Sequence, residues 1–174
     1  MRDFIANIEG EFRRYRTLGE GTLRQLDAEG LRTRASGESN SVATLVWHVA
    51  GNLESRFTDF LTSDGEKPWR RRDDEFAPRD ASPEEVAARW ERGWRVLETT
   101  LAQLDDADLP TGVTIRDVEF TVSEALLRSL AHTAYHVGQM TFQGKMLRGE
   151  AWDYLSIAPG GTAAYNRNPT REKG

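Results

Sequence analysis

Two long stretches of this chain carry no charged side chain. No Asp, Glu, Lys or Arg lies between Asn40 and Leu53, and none lies between Ser129 and Gly144. In a chain that is 29% charged, a helix with one face in water should carry charge on that face, and helices with none are usually buried. Within each stretch, polar side chains recur at helical steps. Ser41, Thr44, His48, Asn52, Ser55 and Asp59 form one stripe, and Ser129, His132, His136, Gln139 and Gln143 form the other. Aliphatic residues take the other side: Val42, Val46, Val49, Leu53 and Phe57 in the first, Leu127, Leu130, Ala134 and Val137 in the second. The two polar stripes are therefore expected to face each other, or a shared cleft.

The chain has three histidines, and all of them sit on these stripes. His132 and His136 are four apart, which on a helix puts the rings about 6 Å apart along the axis and roughly 40° apart around it, near enough to share one ion. His48 lies on the other stripe. A buried imidazole needs a partner, and one metal ion would serve all three. Three neutral imidazoles suit Zn²⁺, Ni²⁺, Cu²⁺ or Fe²⁺, with zinc or nickel the first expectation. Three protein ligands leave a position open, as in catalytic rather than structural zinc sites. A water or a thiolate can bind there. Thr133 follows His132 where an HExxH protease has its glutamate, which excludes that class. Neither stripe has a carboxylate near the histidines, and Asp59 is three turns from His48, so a two-metal carboxylate site of the ferritin kind is excluded too.

Around these stretches the spacing predicts four long helices. The first covers 2–26, with Phe4, Ile5, Ile8, Phe12, Tyr15 and Leu18 at helical spacing; Gly19 and Gly21 weaken its later part. The second is capped by Ser41 and runs to about 61. The third starts at Ser82-Pro83-Glu84-Glu85, with a cap, a proline at the first helical position and acids in the first turn, and ends near 104. The fourth runs over 122–148 behind a Thr121/Glu124 capping box. Gly112-Val113-Thr114-Ile115 and Val118-Glu119-Phe120-Thr121, on either side of Arg116-Asp117, predict a small hairpin or an extended crossover. The tail beyond 148 looks irregular. An all-α four-helix bundle follows, as one domain over 1–174. A net charge of −5 argues against a nucleic-acid partner. The absence of cysteine removes disulfides and thiolate ligands. With neither a signal-like start nor a membrane-length apolar run, the expected location is the cytoplasm.

Leu45-Val46-Trp47-His48-Val49-Ala50-Gly51-Asn52 and His132-Thr133-Ala134-Tyr135-His136-Val137-Gly138-Gln139 resemble the DinB superfamily of DinB/YfiT-like metal proteins. Residues 52–60, 65–76 and Tyr154-Leu155-Ser156-Ile157 resemble a branch of it known only as a domain of unknown function. The resemblance implies an up-down-down-up bundle, a metal site on His48, His132 and His136 near one end, and a homodimer. Some relatives are thiol-dependent enzymes, among them mycothiol-dependent maleylpyruvate isomerase and bacillithiol S-transferases, in which the metal holds the cofactor thiolate. By analogy, the expectation for this chain is a metal-dependent transferase or hydrolase with a small-molecule substrate and a low-molecular-weight thiol. The competing readings are a noncatalytic metal-binding or ligand-sensing bundle, and a structural bundle without metal.

Three further residues are candidates for orienting the site or touching substrate. Asn52 and Gln139 each lie one turn beyond a histidine. Arg56 can meet an anionic substrate, although an ion pair explains it as well. The loop over 65–76, Pro68-Trp69-Arg70-Arg71-Arg72-Asp73-Asp74-Glu75-Phe76 in its later part, has aromatic ends around opposed charge blocks. Such a loop could dock over the cleft mouth or against a partner subunit, and its arginines could bind a carboxylate or phosphate, but its acids offset them, which favours a plain salt-bridged loop. Trp90 and Trp94 read as one packing stripe.

Overall fold

The Ser82 hydroxyl accepts a hydrogen bond from the backbone N–H of Glu85, and the Glu85 carboxylate accepts one from the backbone N–H of Ser82. Thr121 and Glu124 do the same. These reciprocal caps satisfy orphan N–H groups at a helix start, and both begin where the sequence predicts. A computed structural model describes residues 2–170; residues 1 and 171–174 of the domain expected over 1–174 lie outside the described residues. The chain is mostly helical, with helices α1 (Asp3–Leu23), α2 (Ala28–Arg32), α3 (Val42–Phe57), α4 (Pro83–Leu101), α5 (Val122–Arg148) and α6 (Thr162–Tyr165). Strands β1 (Gly112–Ile115) and β2 (Val118–Thr121) pair antiparallel, with Ile115 opposite Val118. Short 3-10 turns occupy Asp73–Phe76 and Gly149–Ala151.

Three helix boundaries differ from expectation, for local reasons. The first helix stops at Leu23 because Asp27 caps a separate short helix, accepting from the N–H of Gly30 at 2.8 Å. The second stops at Phe57, just before Asp59 takes a positive φ of 48°. The third ends at Leu101, followed by a turn. Gly19 and Gly21 do not interrupt α1. A Cβ on Gly19 would lie 2.4 Å from the Trp90 ring, and one on Gly21 would lie 2.6 Å from Leu155, so both make room for neighbours.

α3 packs against α4 and α5, and α1 packs against α4 and α5. Between them Phe12 meets Phe57 and Trp94 edge-on, and Trp90 and Trp94 lie side by side. Both tryptophans are buried, as a packing stripe requires, whereas Trp69 is exposed. α3 and α4 approach closely at Gly93, where a Cβ would lie 2.6 Å from the Ala50 Cα. α3 is buried nearly all round. α5 is not: Leu127, Tyr135 and Phe142 are exposed, so its uncharged stretch covers an outer apolar face as well as an inner polar one. Among the described residues, no helix is long and apolar enough to cross a membrane.

The hairpin is real, and it is tied to the loop after α3. Arg116 and Asp117 both take positive φ (56° and 60°), the geometry of a two-residue hairpin turn matched to strand twist. Their N–H groups donate to the Asp64 carboxylate, each at 2.9 Å. Gly65 N–H donates to Thr114 O at 2.8 Å. Partial burial works against the Asp64 charge, but the N–H donors from Asp117, Glu66 and Arg116 outweigh it and hold the carboxyl well below its usual range. Hairpin and loop together form one wall in front of the histidines.

Candidate metal centre

His48 comes from the middle of α3, and His132 and His136 from successive turns of α5. The helix pairing brings them together across 84 residues of sequence: His48 Nε2 and His132 Nε2 are 3.1 Å apart. One ring nitrogen from each histidine lies within 4.8 Å of the other two. An ion bound at about 2.0–2.1 Å to each of three imidazoles fits a cluster of this size with small ring rotations. His48 and His136 are buried and His132 is half-buried.

The other ring nitrogens show which atoms remain for a metal. His48 Nδ1 donates to Glu75 Oε2 at 2.8 Å, and His136 Nδ1 donates to Gln139 Oε1 at 3.2 Å. A partner on Nδ1 fixes the tautomer and leaves Nε2 with its lone pair. His132 Nδ1 is buried with no hydrogen-bond partner among the described residues. Burial, and then the neighbouring imidazoles and arginines, push His132 down to about 3. Burial and His48 push His136 down to about 4, against the opposing bond to Gln139. Both rings are therefore neutral at pH 7, the form that ligates a metal.

Gln139 meets the ring of His136, one turn before it on α5, through its side-chain oxygen. Asn52 is buried, lines the cavity one turn beyond His48, and makes no side-chain hydrogen bond to a described residue. Arg56 also lines the cavity, and it bonds Gly65 O and, at 3.1 Å, Glu66 Oε2. Gln143 ends the α5 stripe away from the site, donating to Thr33 O at 2.6 Å.

The residues that sequence reasoning missed come from the loop. The stripes hold no carboxylate near the histidines, yet Glu75, from the 3-10 turn at Asp73–Phe76, reaches His48 from outside them. Arg70 clamps Glu75 with two parallel bonds from one edge of its guanidinium, Nε to Oε1 at 2.8 Å and Nη2 to Oε2 at 2.9 Å. Burial works against the Glu75 charge, but the bonds from His48 and Arg70 outweigh it and keep the carboxyl below its usual range. Phe76 lies on the His48 ring at a centroid distance of 4.5 Å. The loop is salt-bridged as expected, but its Arg70–Glu75 pair is buried and belongs to the site. The sequence carried a signal for this in Gly51. A glycine in mid-helix costs about 1 kcal/mol against alanine, and here a Cβ would lie 2.3 Å from Glu75 Oε1.

A cavity of about 360 Å³ opens in front of the histidines, with Phe76, Ile115 and Tyr135 in its walls. The arrangement can hold an ion on one side and admit a small molecule on the other. A family model described as protein of unknown function (DUF1572) matches residues 1–161, which includes all three histidines and the loop. No curated protein matches the chain, and no solved structure does.

Proposed function

The chain belongs to the DUF1572 family, and we propose that it is a metalloprotein of the DinB superfamily that acts on a small molecule at a three-histidine centre. The ligands are His48, His132 and His136, and the ion is zinc or nickel. The observation that carries the reading is the convergence of three imidazoles on the wall of a cavity, with two of them oriented by Glu75 and Gln139 through the opposite ring nitrogen. An ion held by three neutral ligands keeps an open position and supplies a Lewis acid, able to polarise a substrate or stabilise a thiolate. The chain's own part is to present Nε2 of each ring, to hold His48 through Arg70 and Glu75, and to place Asn52 beside the opening. The thiol-dependent transferase activity comes from the resemblance alone; hydrolysis is open to the same centre. The four-helix bundle in up-down-down-up order, the single domain and the homodimer belong to the same reading. The packing of α1, α3, α4 and α5 on one another supports the first of these.

Elemental analysis of protein made without a metal-affinity tag tests the site. About one divalent ion per chain, absent from the His48→Ala/His132→Ala/His136→Ala variant, is the expected result; no ion, or one that survives the triple change, overturns it. A noncatalytic metal staple between α3 and α5 is the second reading. In either case chelation removes the free energy of binding from the folded state, and the melting temperature should fall by about 5–10 °C if the ion was present at about a hundred times its dissociation constant. Metal-dependent consumption of a thiol with a chromogenic aryl halide is expected of the transferase and not of the staple.

A further inference from the structure

Arg56, Arg70, Arg72, Arg116 and Arg128 all line the cavity in front of the histidines, and among the described residues no carboxylate lines it. Guanidinium groups keep their charge in any protein environment. The acids behind the wall are too few to balance them. Glu66 is shared by Arg116 at 3.0 Å, Arg56 at 3.1 Å and Arg70 at 3.6 Å. Glu75 is committed to Arg70 and His48.

Among the described residues, two of the five have no carboxylate within hydrogen-bond distance. Among the described residues, Arg72 has only Asp73 at 3.7 Å, a fully exposed carboxylate, and otherwise stacks on Phe76. Arg128 makes no ion pair with a described residue and lies over the Phe120 ring at 5.7 Å. Arg128 precedes His132 by one turn of α5, and Arg72 lines the same cavity as His136. A divalent cation on the histidines would add to this positive excess. An anion in the cavity would offset both.

We propose that this centre takes a small organic anion, a molecule that lays a carboxylate or phosphate oxyanion against Arg72 and Arg128 while its other end faces the histidines. The second half of that statement rests on the metal reading; the first half rests on the arginines alone. Oxyanions match the planar fork of arginine, and charge-assisted bonds of that kind are the stronger ones. The cavity has room for roughly a dozen waters, which suits a metabolite-sized acid and not a polymer.

Succinate, its neutral diamide and inorganic phosphate are titrated calorimetrically into the metal-loaded protein and into the Arg72→Gln/Arg128→Gln variant. Both side chains lie at the surface, and circular dichroism and metal content check that the variant folds and keeps its ion. The expected result is binding of succinate, phosphate or both, none of the diamide, and a loss of about tenfold or more in the variant with metal content unchanged. Succinate alone identifies a carboxylate ligand, and phosphate alone a phosphate ligand. Equal binding of the diamide, failure of both anions to bind a protein that holds its ion, or an unchanged affinity in the variant overturns the proposal. The same titration of metal-free protein separates the two readings. If the chain holds no ion, the metal centre fails, and the anion site still stands or falls on whether succinate or phosphate binding is lost with Arg72 and Arg128.

Discussion

Glu75 shows how one side chain can set the character of a site it does not line. Its carboxylate accepts from His48 Nδ1 and from Nε and Nη2 of Arg70, so His48 is held in the tautomer that offers Nε2. Carboxylates in this position typically raise metal affinity about 10–100-fold. Glu75→Gln keeps the shape and one acceptor oxygen but gives up the charge. It should weaken metal binding by that factor with little change in helicity, measured by competition against a chromophoric chelator; an unchanged affinity would sink the orienting role. His132 and His136 make a second prediction, for the metal-free protein. Their folded pKa values, about 3 and about 4, lie below the ordinary value of 6.5. From pH 6.5 downward the unfolded chain therefore binds protons that the folded chain refuses, and stability falls with pH until the folded values are reached. Urea midpoints of metal-free protein should drop between about pH 6.5 and pH 4, and the His132→Gln/His136→Gln variant should lose less over that window. The histidines were legible in the sequence because their spacing and their uncharged surroundings are local properties. Glu75 was not, because its partner His48 lies 27 residues away and one acid among Asp73, Asp74 and Glu75 looks much like the next.

At the scale of elements, helices declare themselves through local chemistry, whereas the loop after α3 is built by tertiary contacts. The capping boxes at Ser82 and Thr121 fix the starts of α4 and α5, and the end of α5 at Arg148 falls just before Gly149, at a positive φ of 55°. The loop after α3 carries no period and no cap, and it is held from three sides. Ser55 donates to Gly65 O at 2.7 Å and accepts from Lys67 N–H at 3.1 Å. Asp64 grips the hairpin turn, and Glu75 grips His48. None of these pairings has a sequence signature, and only Gly51 registers the close approach. Gly51→Ala therefore sets two effects in opposition. Alanine favours the helix by about 1 kcal/mol, while its Cβ would lie 2.3 Å from Glu75 Oε1 and 2.8 Å from Cδ. The carboxylate must move, and with it the bond to His48. The expected outcome is a melting temperature near or below that of the parent and a metal affinity reduced as in Glu75→Gln. A stabilised variant with unchanged metal affinity would show that the loop yields freely at this point.

Taken as a whole, the molecule leaves one surface unexplained by its own packing. Down the outside of α5 run Leu127, Tyr135, Phe142 and Met146, which are 52%, 65%, 72% and 47% exposed, with Ala131 and Gly138 between them. Steps of three and four keep all six on one face, and no charge interrupts it from Ala131 to Phe142. An exposed apolar stripe is the kind of surface a protein–protein contact covers, and the uncharged composition that reads as burial in the sequence is explained if a second copy covers it. A two-fold contact would set α5 against α5, so each substitution there counts twice. Phe142→Glu would place two carboxylates in that contact. Sedimentation equilibrium should show the parent at twice the chain mass and the variant at the chain mass; a monomeric parent, or a dimeric variant, would remove α5 from the interface. All three histidines come from one chain, so the monomeric variant should still carry its ion. Tyr135 lies on the stripe and also in the wall of the cavity. Loss of the dimer should therefore change the affinity for small anions while the metal content stays the same, which distinguishes an interface that shapes the cavity from one that only pairs two independent sites.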